Sequence, residues 1–148
     1  MAMTGAEDWF VDTNVLVYTS QIDSPWHARA EAGLRDAEAA GAALWISDQI
    51  LREYLAAVTR QQQGRPAVPM TEAIERVRFF AQRFDVAEDG PTVRKRLLSL
   101  LATYPVAGKQ VHDANIVATM LANGITRLLT FNIADFRRFA GLITIESP

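Results

Sequence analysis

The 148-residue chain contains no cysteine and only two histidines. The lack of cysteine excludes a disulfide framework, a thiolate zinc site and a cysteine nucleophile, and it suits a reducing compartment. No apolar run approaches the roughly 20 residues that span a bilayer. The segment from Met1 to Asp8 carries two acids and no base, which is the wrong charge for a secretory leader. These absences predict a cytoplasmic protein without a membrane segment, in which a metal site would have to use oxygen ligands.

A large excess of positive charge is also missing, because the formal net charge is −2. This balance argues against a protein that coats nucleic acid by bulk electrostatics. The charge is nevertheless uneven, with 8 Lys or Arg against 14 Asp or Glu in residues 1–90, and 7 against 3 in residues 91–148. The runs Arg94-Lys95-Arg96 and Arg137-Arg138 are typical of solvated helix surface. The alternative is a basic rim that contacts phosphate.

Short apolar runs alternate with amphipathic segments along the chain, without repeats or a linker, which predicts a single domain over residues 1–148. Strands are predicted at residues 9–11, 43–46, 84–87, 127–130 and 142–145. Helices are predicted at residues 14–20, from Ser24-Pro25 to Gly41, and at residues 48–63, 71–83, 91–104, 112–122 and 134–139. This alternation predicts an α/β fold whose mostly parallel sheet is covered by helices on both faces.

Three carboxylates lie within strongly apolar stretches of the sequence. Asp12 follows the first predicted strand directly, where ligands bind in open α/β sheets. Asp113 falls on the apolar face of its predicted helix, whereas Glu53 lies to one side of the apolar arc of its own helix. A buried ionised oxygen is unfavourable unless a partner compensates it, so three of them together predict a shared divalent cation.

Each acid also has a simpler interpretation when it is taken alone. Asp12 and Asp113 lie near predicted helix starts, where a carboxylate caps free N–H groups. Asp135 could cap the short helix that it opens, and Glu53 could remain in water. Helix caps do not explain an acid on an apolar face together with one at the carboxyl end of a strand. The joint pattern therefore favours a metal site.

Four short blocks follow one another at long intervals between Trp9 and Ile145. They are Val11-Asp12-Thr13-Asn14-Val15-Leu16, Ser47 with Glu53, His112-Asp113-Ala114-Asn115-Ile116-Val117-Ala118-Thr119, and Thr130-Phe131-Asn132-Ile133-Ala134-Asp135-Phe136. Their order and spacing resemble the PIN domain, and within it the small VapC-like toxins of bacterial toxin–antitoxin pairs. The resemblance implies a three-layer sandwich with a five-stranded, mostly parallel sheet. It also implies a toxin with metal-dependent endoribonuclease activity.

The resemblance, together with the chemistry of phosphodiesters, suggests a role for each polar residue of these blocks. Mg²⁺, with Mn²⁺ as a substitute, prefers oxygen ligands and needs only one or two carboxylates plus phosphate. We expect Asp12 and Asp113 to be direct ligands, and Glu53 to be an orienting group or a general base. Asp135 and Asn132 would hold a second, weaker ion or its water. The remaining donors would fix the carboxylates, namely Asn14, Ser47 and Thr130.

The expected partners are an RNA substrate, a small cognate antitoxin and a second copy of the chain. A homodimer is implied by the resemblance, and Trp26 and Phe136 are candidates either for its surface or for the core. His27 and His112 are expected in surface or packing roles. An arginine of the antitoxin would suit the acidic site, because its planar fork can pair two carboxylates and displace a metal.

Asn132 departs from the family pattern, because many PIN domains have a fourth acid at this place. Asp135 is the nearby residue that could replace that acid, and the number of metal ions is left open. A catalytically silent PIN module that binds RNA or protein is therefore the main alternative function. A structure-specific DNA nuclease is less well supported, since the chain has no room for a helical clamp. A covalent Asp12 nucleophile is disfavoured because Asn14 stands where its second acid would be.

Overall fold

The structure is a computed structural model that describes residues 7–148. The expectation about a secretory leader partly concerns residues 1–6, which lie outside the described residues. The strands are β1 Trp9–Val11, β2 Leu44–Ser47, β3 Asp85–Ala87, β4 Arg127–Leu129 and β5 Thr144–Glu146. The α-helices are α1 Thr13–Ser20, α2 His27–Ala39, α3 Asp48–Thr59, α4 Met70–Arg83, α5 Pro91–Thr103, α6 Gln110–Ala122 and α7 Ile133–Phe136, and a 3₁₀ helix follows at Arg137–Phe139.

The five strands form one parallel sheet in the order β3-β2-β1-β4-β5. Strand β1 lies at the centre, and its three consecutive residues are all buried. Successive side chains of a strand point to opposite faces, so both faces of the central strand are covered. The predicted α/β class is confirmed, and the sheet is parallel throughout rather than mostly parallel.

The strand order creates a crevice beside the central strand. The chain runs from β1 to β2 and β3 in one direction, and β4 then pairs with the other side of β1. Ligands of open α/β sheets bind at the carboxyl ends of strands where the order changes in this way. In this protein that point lies between Asp12, after β1, and Thr130, after β4. The fold thus brings two distant polar segments to one edge of the sheet.

Most predicted helices are present because their local signals agree with their packing. In α3, Ile50, Tyr54 and Val58 are buried at helical spacing, as the periodicity predicts. Pro91 occupies the first turn of α5, where its missing N–H costs no hydrogen bond. At the end of α6, Gly124 adopts a φ of 70°, which favours glycine, and the N–H of Ile125 bonds to the carbonyl of Met120 at 2.9 Å.

Two predicted helix boundaries were wrong. Ser24 and Pro25 do not open α2; they form a turn in which the Ser24 hydroxyl accepts from the N–H of Trp26 at 3.1 Å, and the helix begins at His27. Helix α3 ends at Thr59 because the following backbone turns, so that Gln62 and Arg65 form an isolated bridge. Both segments contain turn signals that compete with the helical pattern. Within residues 7–148, no helix has the length and apolarity required to cross a membrane.

An acidic cleft at the carboxyl edge of the sheet

A cleft of about 260 Å³ opens at the crevice between β1 and β4. We call it the acidic cleft, because four carboxylates from four different elements contribute to its wall. Its lining residues are Asp12, Thr13, Asn14, Val17, Tyr18, Glu53, Ala57, Asp113, Asn132 and Asp135. The fold therefore brings together acids that are up to 123 residues apart in the sequence, and all four predicted acids line one cavity.

Asp12 lies at the base of the acidic cleft and is only 6% exposed. Its carboxylate caps α1 by accepting from the N–H of Thr13 at 2.8 Å. It also accepts from the Thr130 hydroxyl at 2.7 Å and from the Asn14 amide at 3.2 Å. Burial nevertheless raises the pKa of Asp12 to about 6, and the charges of Glu53 and Asp135 contribute further. Capping and cleft lining are thus both functions of this residue.

Asn14 and Thr130 connect the ends of the two central strands. The Asn14 amide donates to the Thr130 hydroxyl at 3.2 Å, and its carbonyl accepts from the N–H of Phe131 at 3.1 Å. The Thr130 hydroxyl accepts in addition from the N–H of Asn132 at 3.0 Å. Both side chains also bond to Asp12, so the segment after β4 and the acid after β1 are held in one network. This network fixes the orientation of the Asp12 carboxylate.

Glu53 projects from α3 with both carboxylate oxygens engaged. The Thr13 hydroxyl donates to Oε2 at 2.7 Å, and the Gln49 amide donates to Oε1 at 3.0 Å. Glu53 is half-buried and faces the cleft, whereas helical periodicity alone would equally have left it in water. The side chain is therefore oriented by α1 and by its own helix.

Asp113 is the fourth residue of α6 and is half-buried in the cleft wall. It does not cap the helix, because Lys109 occupies the cap position and no side-chain cap bond is present there. Burial raises the pKa of Asp113 to about 6, and the negative charges of Asp135, Asp12 and Glu53 raise it further. Arg138 opposes this shift.

Asn132 and Asp135 lie on the solvent side of the acidic cleft, and both are exposed. The N–H of Asp135 bonds to the carbonyl of Asn132 at 3.1 Å, which places them in the first turn of α7. The charge of Asp135 raises the pKa of both Asp12 and Asp113. Asp135 therefore acts electrostatically on the same site as the two deeper acids.

The donor set of the acidic cleft consists of hard oxygen ligands, which suit Mg²⁺, Mn²⁺ or Ca²⁺ rather than a thiophilic ion. Within residues 7–148, none of the ion pairs between basic and acidic side chains involves these four acids. Over the same residues, no three acidic or histidine side chains converge as a ready-made metal site. The cleft thus presents negative charge that none of the ion pairs within residues 7–148 neutralises.

Comparison with known proteins agrees with this architecture. Residues 9–142 match the PIN domain. The chain belongs to the PIN-domain family. It is 30% identical over 136 residues to Ribonuclease VapC24 of Mycobacterium tuberculosis, a match that covers 87% of this chain and 89% of that protein. The acidic cleft is accordingly the cleft of a VapC-like PIN domain.

Solved structures of PIN proteins share the fold. VapC20 of Mycobacterium tuberculosis, described as a sarcin–ricin loop cleaving toxin, superposes with a TM-score of 0.67 at 16% identity, over 92% of this chain and 97% of that one. VapBC2 of Rickettsia felis, solved bound to a promoter DNA fragment, gives a TM-score of 0.66 at 20% identity, over 95% and 98% of the two chains. At these identities the likeness shows the fold alone.

Five other residues for which the sequence suggested a role in this PIN domain do not line the cleft, namely Ser47, His27, His112, Trp26 and Phe136. Ser47 is buried at the end of β2 and caps α3, where its hydroxyl accepts from the N–H of Ile50 at 3.4 Å. It is not among the residues that line the cleft. His27 contacts the carbonyl of Tyr18 at 3.0 Å, and His112 is exposed. Of the two dimer candidates, Phe136 is buried in the core and Trp26 is 43% exposed.

Sequence reasoning missed two residues that bond directly to Glu53. Thr13 lies in the first of the four sequence blocks, but its hydroxyl is not among the predicted site groups. Gln49 precedes Glu53 by four residues on α3, and this spacing places two side chains on the same side of a helix. The i, i+4 relation is thus the signal that could have identified Gln49. No comparable local signal exists for Thr13, which is 40 residues away from its partner.

Proposed function

We propose that this PIN-domain protein is the endoribonuclease toxin of a toxin–antitoxin pair and hydrolyses RNA phosphodiester bonds with Mg²⁺ or Mn²⁺. The observation that carries the proposal is the acidic cleft, in which four carboxylates meet and no basic side chain within residues 7–148 forms an ion pair with them. The ribonuclease name of its 30% identical relative supports the assignment. A divalent cation is the partner that such a cleft requires in order to approach a phosphodiester.

We assign Asp12 and Asp113 as the residues that hold the cation. Mg²⁺ retains several waters and needs only one or two carboxylates, so two of the four acids suffice to hold it. When bound, the cation would lower the pKa of the attacking water and screen the charge that develops on the phosphate. Both acids must be ionised to bind it, and at neutral pH a pKa of about 6 leaves each of them largely ionised.

Glu53 is assigned to orient the attacking water and to accept its proton. Thr13 and Gln49 hold its two oxygens, so the carboxylate presents one orientation to the cleft. Water then adds to phosphorus as its proton passes to Glu53, the P–O bond to the leaving nucleotide breaks, and the leaving oxygen takes up a proton from solvent. Asn14 and Thr130 keep Asp12 in place, while Asp135 and Asn132 are assigned to a second, weaker ion or its water.

The partners of the proposed toxin follow from its chemistry. An enzyme that cuts cellular RNA must be kept inactive, and the acidic cleft would accept an arginine from a small cognate antitoxin. Structures of related VapBC pairs, such as that of Rickettsia felis, support this partner. We further propose a homodimer that functions in the cytoplasm. Co-purification of the natively expressed protein should recover the antitoxin; a monomer that is harmless when overexpressed alone would favour the silent module.

The test of the function is RNA cleavage by matched amide variants in nuclease-free preparations. Asp12→Asn and Asp113→Asn should each abolish cleavage that depends on Mg²⁺ or Mn²⁺, because the amide preserves size but removes the charge that holds the cation. Asp36→Asn, a change to an exposed acid on α2, should leave turnover unchanged. Circular dichroism of each variant should match that of the wild type. Near-wild-type turnover by both cleft variants would contradict the proposed site.

A further inference from the structure

Gln49 is a buried amide at the start of α3 that contacts two helices at once. It is 5% exposed. Its Nε2 donates to Glu53 Oε1 at 3.0 Å and to the carbonyl oxygen of His112 on α6 at 2.9 Å. Its Oε1 accepts from Asn115 Nδ2 on α6 at 2.7 Å. Both amide hydrogens and the carbonyl are therefore used, and a glutamine engaged in this way has little rotational freedom.

The hydrogen bonds of Gln49 are important because they connect α3 and α6, which pack against different sets of helices. Helix α3, which carries Glu53, packs against α1 and α4. Helix α6, which carries Asp113, packs chiefly against α5 and also contacts α7. Helices α3 and α6 do not pack closely against each other along their lengths. On α6, Gln49 bonds to His112 and Asn115, which lie on either side of Asp113 in the sequence. On α3, it bonds to the carboxylate of Glu53.

We propose that Gln49, fixed by Asn115, is the positioning residue that sets the separation of Glu53 and Asp113 across the acidic cleft. The inference rests on the proposed function, in which these carboxylates share one cation and its water. Gln49 does not line the cleft and touches no reacting atom, so it acts through Glu53. Residues that orient metal-binding groups in this manner typically change metal affinity or activity by about 10- to 100-fold when they are replaced.

A merely structural role for Gln49 makes a different prediction. A buried glutamine that only satisfies its neighbours would change the melting temperature on replacement, and would leave Glu53 and the metal affinity as they are. The positioning role requires that Glu53 lose its single orientation even where the protein remains folded. Metal affinity and the position of the Glu53 carboxylate are therefore the deciding measurements.

The central variant is Gln49→Leu, which removes all three side-chain hydrogen bonds at similar size, with Gln49→Met as a second choice should the first not fold. The matched control is Gln62→Leu, since Gln62 also donates a side-chain bond, to the carbonyl of Ala57 at 3.1 Å, but reaches neither Glu53 nor α6. Mn²⁺ affinity is measured by calorimetry, and RNA cleavage at saturating Mn²⁺ is resolved into kcat and KM. A crystal structure of the variant locates the Glu53 carboxylate.

We expect Gln49→Leu to weaken Mn²⁺ binding and to lower kcat by about 10- to 100-fold with little change in KM for RNA. Glu53 should occupy more than one orientation, and Gln62→Leu should resemble the wild type. Asn115→Leu should have a smaller effect in the same direction, and the double variant should be no worse than Gln49→Leu, because both changes act through one contact. Additive effects would contradict the shared role.

The proposal is overturned if folded Gln49→Leu retains wild-type Mn²⁺ affinity, kcat and Glu53 orientation. A wild-type protein that neither binds Mn²⁺ nor cuts RNA would contradict the proposed function instead. In that case the crystal structure alone still decides whether Gln49 positions Glu53. The two failures are therefore distinguishable.

Discussion

Replacing Asp12 by Asn should stabilise the metal-free protein at neutral pH, although it removes a proposed metal ligand. The carboxyl is buried, and its pKa rises from 3.8 to about 6 on folding. This rise corresponds to about 3 kcal/mol of unfavourable free energy for the ionised form in the folded state. The amide avoids that penalty but loses the hydrogen bond from the Thr130 hydroxyl. The pKa of about 6 already reflects the strengthening of this bond by the charge, so the further loss is that of a neutral hydrogen bond, about 1 kcal/mol. The net expected gain is about 2 kcal/mol.

The pH dependence fixes the sign of this effect. The pKa of the folded state is the higher one, so above about pH 6 the carboxylate is ionised in both states and the folded protein bears the full penalty. As the pH falls through 6 towards 4, the folded state takes up its proton first and the penalty disappears. At pH 4.5 about 1 kcal/mol of the penalty remains, which roughly cancels the lost hydrogen bond. The advantage of the variant should therefore vanish there.

Urea unfolding in EDTA at pH 7.5 and pH 4.5 measures this difference. We expect Asp12→Asn to be more stable than the wild type by about 2 kcal/mol at pH 7.5, or about 6 °C in melting temperature, and about equal at pH 4.5. Saturating Mn²⁺ should reduce or reverse the difference at pH 7.5, since only the wild type gains binding energy. The exposed control Asp36→Asn should remain within about 0.5 kcal/mol at both pH values. The reasoning would be refuted if Asp12→Asn were less stable than the wild type at pH 7.5, or if the difference in unfolding free energy were the same at both pH values.

Three further predictions concern metal binding and turnover. Asn132→Asp should add a second Mn²⁺ step in calorimetry; unchanged stoichiometry, together with inactive Asp135→Asn, would show that Asp135 already fills this role. Mn²⁺ affinity should fall steeply as the pH drops below about 6, because the cation then competes with protons for the two carboxyls of raised pKa, and a flat calorimetric profile would contradict this. Thr13→Val should lower kcat by about tenfold by releasing Glu53 Oε2, whereas Thr13→Ser should retain activity; equal rates would contradict the hydrogen-bonded role of the hydroxyl.

Local patterns predicted much of the architecture because they describe the burial of neighbouring residues. The apolar run at Trp9–Val11 becomes the central strand, and the spacing of Ile50, Tyr54 and Val58 becomes the buried face of α3. The prediction failed at Ser24-Pro25, where a cap signal and a turn signal are the same residues. The N–H of His27 bonds to the carbonyl of Ser24 at 3.2 Å and closes the turn before the helix begins.

The candidate site was predictable to different degrees at its different residues. Asp12 could be located because it follows the central strand directly, and Asp113 because helical periodicity places it on a buried face. Helical periodicity could not predict whether Glu53 faces the cleft or the solvent, because its orientation depends on the Thr13 hydroxyl, 40 residues away in the sequence. Ser47 was predicted to support the carboxylates, but its side chain caps α3 at the end of β2.

The sequence by itself determined the alternation of strands and helices, the parallel sheet and the residue types available for a metal, because these depend on composition and short-range periodicity. Only the tertiary structure decided which acids share a cleft and which polar groups orient them. The bonds of Thr130 to Asp12 and of Gln49 to α6 join residues 118 and at least 63 positions apart. Such bonds form between side chains that folding brings together, and no local pattern records which of the many polar residues will meet.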